Sequence, residues 1–374
     1  MNKIPIVSLF TGGGFLDMGF EMAGFDTVFT NEYDEVFVKL FEDGMNSWSI
    51  SEGLDKKFKI SSVESINSLS SRMIEMKAFP NGKPNLWGII GGPPCQDFTF
   101  NGNLNGFDGE RGKMTIIFFN RIKQMLPSFF VMENVTGLLH NKDSKMRLDK
   151  IIENYCSKDY YLDRFILNAL DYGVPQNRER VFLIGLKKDT FNPPIKKHTV
   201  NSLFNLNFKI PSQKYENARI NFSWPKLNPY GETPEMPEGI PAELFVINCL
   251  VSNEDIENNV PNINEYFPLR KDPESKKMIQ EGNTLRQSFK RLHRYRYSPT
   301  TCYGNNEVHL HPFENRRLSV REALRIQGVP DSYALSKDIS LTKKFKMIGN
   351  GVPVPLAFAV ASSLNDFLIA NLAE

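Results

Sequence analysis

Short apolar runs alternate with helical patterns through the first half of the chain. Ile4 to Phe10 reads as a strand closed by Thr11-Gly12-Gly13-Gly14, and Phe15 to Ala23 as a helix ended by Gly24. Thr27 to Thr30 reads as a second strand and Glu35 to Phe41 as a second helix. Further on, Leu86 to Ile90 and Phe129 to Met132 are short continuous apolar runs, the mark of strands buried on both faces, with a helix expected between them around Thr115 to Met125. Val181 to Gly185 is another such run. Strand-then-helix alternation predicts an α/β architecture, a doubly wound and mostly parallel sheet, in which ligands bind beyond the carboxyl ends of the strands.

Beyond Lys187 the pattern weakens. Up to about Pro299 the chain is rich in Asn, Pro and Lys, with turn signals such as Asn192-Pro193-Pro194 and Pro234-Glu235-Met236-Pro237. After Pro330 regularity returns, and Val354 to Leu368 reads as a helix expected to rejoin the first domain. The expected division is therefore residues 1–187 with 334–374 as one domain and 188–333 as a smaller, irregular second one.

Composition narrows the classes without choosing among them. With 374 residues, 41% hydrophobic and 24% charged, the chain can bury the core of two ordinary domains. The formal charge of +2 neither demands nor excludes a nucleic-acid partner, so a basic surface has to be sought locally. The N-terminus has no signal-peptide pattern, and no apolar stretch approaches the span of about 20 residues that crosses a bilayer, so a cytoplasmic location is expected. Cys95, Cys156, Cys249 and Cys302 are widely spaced, with no CxxC pair or histidine at ligand spacing. No metal site is expected, and each thiol is by default a small buried hydrophobe.

Five segments carry candidate chemistry. Phe10-Thr11-Gly12-Gly13-Gly14-Phe15 joins a strand to a helix, where glycines let backbone approach a ligand, and Glu32 follows about 20 residues later, placed to accept from ribose hydroxyls. This suits an adenosine-bearing cofactor, either nicotinamide or S-adenosylmethionine, or else a glycine turn with no ligand. Gly91-Gly92-Pro93-Pro94-Cys95-Gln96 puts a cysteine at a strand end behind two stiffening prolines, a candidate nucleophile as much as an inert thiol. In Met132-Glu133-Asn134-Val135, Glu133 emerges at a strand end, where a buried carboxyl kept protonated could donate to a ring nitrogen. In Gln176-Asn177-Arg178-Glu179-Arg180, extended alternation places Gln176, Arg178 and Arg180 on one face. Finally, Arg286 to Tyr297 contains Arg286, Lys290, Arg291, Arg294 and Arg296 interleaved with aromatics and no acid, a candidate phosphate-contacting wall.

Taken in order, these segments resemble the DNA (cytosine-5)-methyltransferase family over most of the chain. Its glycine loop is similar to Phe10–Phe15, its nucleophile loop to Gly91–Gln96, its ENV tripeptide to Glu133–Val135 and its QxRxR signature to Gln176–Arg180. Arg317 to Ala323 with Gln327 to Asp331, and Gly349-Asn350-Gly351-Val352-Pro353, extend the likeness, and Thr300-Thr301 with Tyr303-Gly304 resembles the end of the family's target recognition domain. The resemblance implies a Rossmann-like, class I S-adenosylmethionine-dependent methyltransferase of the restriction-modification type. It implies Cys95, Glu133, Arg178 and Arg180 as catalytic, and Phe10, Thr11, Gly12, Gly14, Phe15, Glu32, Ser62, Pro94, Asn350 and Val352 at S-adenosylmethionine. It also implies Gln96, Asn134, Gln176, Arg291, Arg294, Arg296, Thr300 and Thr301 at double-stranded DNA. A monomer, with a companion restriction endonuclease, is expected. The chain departs from the family at Ser62, where an aspartate commonly meets the adenine, at Gly351, where alanine is commoner, and at Thr99, where serine is.

That residue set matches a defined chemistry. The Cys95 thiolate would add to C6 of a flipped-out cytosine while Glu133 holds N3, so that C5 takes the methyl group. Three rivals are tRNA methylation, a nicotinamide oxidoreductase built on the glycine loop, and a catalytically silent DNA-binding protein. The long variable region favours DNA over tRNA, and an oxidoreductase leaves the cysteine loop and the arginine strand without a task.

Overall fold

The computed structural model describes residues 3–94, 110–140, 142–193, 202–209, 211–269, 272–300 and 308–372. The first strand β1 (Ile4–Leu9) leads through the glycine loop to α1 (Phe15–Met22), then to β2 (Phe25–Asn31) and α2 (Glu35–Ser51). There follow α3 (Ser71–Ala78), β3 (Gly88–Gly91), α4 (Glu110–Met125), β4 (Phe129–Val135), α5 (Gly137–His140), α6 (Lys142–Cys156) and β5 (Tyr160–Asn168). A short β6 (Gln176–Asn177) precedes the long β7 (Glu179–Lys187).

Six of these strands form one sheet in the order β2-β1-β3-β4-β7-β5. Strands β1 to β4 run parallel, and β7 runs antiparallel between β4 and β5. Strand order reverses around β1, which pairs with both β2 and β3, and in such sheets ligands bind beyond the carboxyl ends at that switch point.

Period-two alternation explains the two-sided burial. Ile6, Ile90, Phe129 and Val131 face one cluster with α1 and the last helix, whereas Val7, Ile89, Phe130 and Met132 face the other with α3, α4 and α6. Both faces are thereby covered, as a parallel sheet requires.

The second half is built from short pieces: α7 (Ala218–Asn221), α8 (Asn253–Glu257), α9 (Pro273–Lys277), β8 (Lys290–Arg291), β9 (Ser298–Pro299) and β10 (His309–Leu310). The chain then forms α10 (Val320–Ile326), α11 (Leu341–Asn350) and α12 (Val354–Ala370). Val320, Ala323, Leu324 and Tyr333 share a cluster with Phe15, Phe41 and Met347, so this stretch packs beside the glycine loop. Contrary to the sequence expectation, Leu341–Ala370 contains an 18-residue window apolar enough by composition to cross a membrane. The run is interrupted at Gly351 to Pro353, and α12 buries Leu356, Ala357, Val360, Ala361 and Leu364 in the sheet's core, which accounts for its apolarity.

Candidate active site

The glycine loop leaves β1 through Phe10 at φ 58°, and Gly12 and Gly14 lie at φ 60° and 77°. Gly14 starts α1 in a left-handed conformation that other residues rarely adopt, and a Cβ there would sit 2.7 Å from the Phe41 ring. The Gly12 N–H donates to Glu32 Oε2 (2.9 Å), while Glu32 Oε1 accepts from the N–H groups of Tyr33 and Asp34 (2.8 Å each). Burial raises the Glu32 carboxyl above its usual range, and these donors offset part of that rise. Thr11 N–H bonds Asn31, so loop and β2 terminus are tied into one wall.

Ser62 bridges to Asn31 at the end of β2, and Asn31 Nδ2 donates to the Ser62 carbonyl (3.0 Å). The Ser62 hydroxyl is buried with no hydrogen-bond partner. Beside Gly12 there is open space, with nothing within 4 Å of where a Cβ would stand. A spare buried donor–acceptor and an open glycine at one crevice fit a polar adenosine-bearing group. Phe15 packs on Gly351, whose added Cβ would lie 2.2 Å from the ring, and Asn350 and Val352 flank that contact.

The second wall comes from β3, β4 and β7. Glu133 and Val135 point to the same side of β4, and Val135 is paired with Arg180 of antiparallel β7. Arg180 is thus the diagonal neighbour of Glu133, and its Nε meets Glu133 Oε1 at 2.9 Å. Both are largely buried. Burial raises the Glu133 carboxyl above its usual range, and Arg180, then Arg178, pull it back. A Cβ on Gly92 would stand 2.9 Å from Glu133 Oε2, so the loop after β3 passes this close because residue 92 has no side chain. Asn134 Nδ2 donates to the Pro93 carbonyl (3.3 Å), fixing the Pro93-Pro94 segment that leads into Cys95. Cys95, Gln96, Thr99 and Thr301 lie outside the described residues.

The expected alternation in Gln176 to Arg180 is present. Gln176, Arg178 and Arg180 are buried while Glu179 is exposed. Arg180 meets Glu133, and Arg178 also acts on the Glu133 charge. Arg178 donates through Nη2 to the carbonyls of Gly349 (2.7 Å) and Gly351 (2.8 Å), joining this wall to the one where Phe15 packs on Gly351. Gln176 Nε2 donates to the Ile326 carbonyl (3.0 Å) and to Gln327 (3.1 Å), and Gln327 in turn bonds Ile348. Thr300 donates its hydroxyl to the Asn177 carbonyl (2.7 Å), where β6 and β9 pair.

The basic run divides in two. Arg291 is fully buried and donates to the carbonyls of Lys276, Ile279, His311 and Glu314, and Arg294 grips Glu281 through Nε and Nη2. Both serve the internal fabric of the irregular second half rather than an outward-facing wall. Arg296, by contrast, has no acidic partner among the described residues and lines a cleft with Asn177, Arg219, Thr284, Leu285, Tyr297 and Pro299. Sequence reasoning missed Tyr333, whose hydroxyl donates to the Gly13 carbonyl (2.7 Å) from 320 residues away, and Arg219, an isolated cation in a polar stretch. Nothing local marks either position.

A mostly parallel sheet with a glycine loop at its switch point and a buried carboxyl–arginine pair at the facing strand ends defines a class I methyltransferase architecture. The model of the family described as C-5 cytosine-specific DNA methylase matches residues 4–366, and the chain belongs to that family. It is 36% identical over 377 residues to "Type II methyltransferase M.NmeDI" of Neisseria meningitidis serogroup C, covering 98% of this chain and 84% of that protein. It is 30% identical to "Type II methyltransferase M.FnuDI" of Fusobacterium nucleatum, covering 98% and 95%. A prophage-encoded DNA modification methyltransferase of E. coli shares the fold, with a TM-score of 0.67 at 24% identity over 98% of this chain and 100% of that one. The chain is thus a DNA cytosine-5 methyltransferase of the restriction-modification type, and the family uses S-adenosylmethionine.

Proposed function

We propose that the crevice holds S-adenosylmethionine on one wall and a flipped-out cytosine on the other, with Cys95 as nucleophile. The observation that carries this reading is the Glu133–Arg180 pair, buried at strand ends directly beside the Gly92–Pro94 loop that delivers Cys95. Glu32 would accept from the ribose hydroxyls, the unpartnered Ser62 hydroxyl would meet the adenine edge, and Phe10, Thr11, Gly12, Gly14, Phe15, Pro94, Asn350 and Val352 would shape the rest. When bound, S-adenosylmethionine supplies an electrophilic methyl group.

The protein's own groups do the remainder. The Cys95 thiolate adds to C6, breaking the C5–C6 double bond and moving electron density to C5. Burial favours the protonated form of Glu133, which would donate to N3 and so accommodate the charge that the addition creates. Arg180 fixes the carboxyl's orientation, and Arg178 holds the strand against Gly349 and Gly351. When C5 gains the methyl group, the bond from that methyl to the donor's sulfonium sulfur breaks and leaves a neutral thioether; the C5 proton then leaves to a base, the thiolate is expelled, N3 gives its proton back to Glu133, and the double bond returns. The base must leave the duplex to reach these groups, at a cost of a few kcal/mol. Double-stranded DNA is therefore the proposed substrate, and a companion endonuclease the proposed functional partner.

Cys95→Ser should abolish transfer of a tritiated methyl group to duplex DNA while leaving S-adenosylmethionine and DNA binding within about twofold of the wild type. Turnover retained by that variant refutes the covalent route.

A further inference from the structure

The buried and exposed halves of the basic run describe a loop with a rigid root and a free tip. At the root, Arg291 N–H donates to the Asn283 carbonyl (3.1 Å) and Gly282 N–H to the Leu292 carbonyl (3.2 Å), closing the segment between them. Arg291 locks this closure from inside through four carbonyls and lies over the Tyr230 ring at 4.3 Å. Glu281 grips Arg294, and Phe289 is held between Lys276 and Arg317, each 4.6 Å from the ring centre.

The tip is the opposite. Leu285 is 99% exposed, and Arg286, Gln287 and Ser288 are exposed with no hydrogen bond or ion pair. An exposed leucine alone is ordinary. Here it stands on a loop whose root is locked by a fully buried arginine, and it lines the same cleft as Asn177, the residue before Arg178. Two further cations of that cleft, Arg219 and Arg296, have no acidic partner among the described residues. A positioned apolar tip carrying an Arg fork and an amide, above a cleft with uncompensated positive charge, has the chemistry of a groove reader.

We propose that the loop Thr284–Ser288 enters the major groove of the substrate DNA and reads its sequence, with Arg286 donating both arms of its fork to O6 and N7 of a guanine. Leu285 packs on the neighbouring base edge, and Arg219 and Arg296 hold backbone phosphates. This assignment rests on the reading that the chain methylates DNA. It places DNA contact on the tip that Arg291 and Arg294 support rather than on those two arginines.

The test begins with the wild-type chain in a host without cytosine methylation, where bisulfite sequencing gives the methylated motif. A wild type that methylates no cytosine sinks the parent reading and the loop with it. Given a motif, the purified Arg286→Ala protein is compared with the wild type for S-adenosylmethionine binding, thermal melting, and affinity for duplexes with and without the motif. The expected result is unchanged melting and cofactor binding. The ratio of specific to non-specific affinity should fall about tenfold or more, and methylation should spread to sites that differ at one guanine. Arg219→Ala should instead weaken both duplexes equally. The loop assignment fails if Arg286→Ala keeps the wild-type motif and affinity ratio, or if it weakens both duplexes to the same extent.

Discussion

Glu133 is asked to remain protonated beside a guanidinium that favours its ionised form. Burial supplies the opposing push, and the balance is local, since Arg180 touches one oxygen while Gly92 backbone crowds the other. Glu133→Gln keeps a donor for N3 but cannot pass a proton, so kcat should fall by about 10²–10⁴ with little change in cofactor affinity. Single-turnover methyl transfer measures it, and a loss below tenfold would remove Glu133 from the chemistry. Asp17 shows the same physics without a catalytic task. It is buried on α1, and burial raises its pKa from 3.8 to about 7 against a smaller opposing effect of the Ser8 hydroxyl. A raised carboxyl stabilises the fold while protonated, fully below its unfolded value, and the contribution is lost as pH climbs toward 7. Wild-type melting temperature should therefore drop between pH 4 and 7 relative to Asp17→Asn, and parallel curves would show that Asp17 is ionised throughout. At this scale the sequence revealed residue types and not burial. Glu133 and Arg180 were legible from their strand-end positions, whereas Arg291 read as an outward cation because nothing in the letters shows four carbonyls turned toward it.

Elements whose apolar residues form continuous runs were legible, and elements with a thin stripe were not. β1, β3, β4 and β7 were read close to their observed bounds because both faces of each are covered. β5 went unread, since Tyr160–Asn168 lies at the sheet edge and places Asp163 and Arg164 mid-strand. Likewise α6 buries only Leu148, Ile152 and Cys156 along its 15 residues, too sparse a stripe to announce a helix. The joint between α11 and α12 carries a sharper consequence. Gly351 replaces the alanine common in the family, and the Phe15 ring occupies the space where that methyl would be. Gly351→Ala forces the ring aside from a buried position, so stability should fall by about 1–3 kcal/mol. S-adenosylmethionine binding should weaken in parallel if, as proposed, Phe15 also shapes the cofactor site. Calorimetric titration beside a denaturant melt tests this, and unchanged values in both would mean that Phe15 relocates freely.

For the whole molecule, a net charge of +2 gives no general attraction to DNA, so binding must depend on a few cations left without partners. Most of the arginines at the rear of the second half are committed. Arg316 pairs with Glu314 and Glu322, and Arg325 with Asp255 and Asp331. What faces the cleft between β6 and the irregular half is Arg219 and Arg296, without acids. Each phosphate contact releases condensed counterions, and the logarithm of affinity falls with the logarithm of salt by about 0.9 per contact. Replacing Arg219 or Arg296 by alanine should therefore flatten that slope by about one, with the folded state unchanged. Arg291→Ala should do the reverse. It strands four carbonyls, two of them in buried contacts, and should cost about 3 kcal/mol or more, while the slope of the protein that remains folded stays at the wild-type value. Fluorescence anisotropy of a labelled duplex from 50 to 300 mM salt, run beside thermal melts of all three variants, separates the classes. A slope that responds to Arg291 and ignores Arg219 and Arg296 would place the DNA on a different face of the molecule.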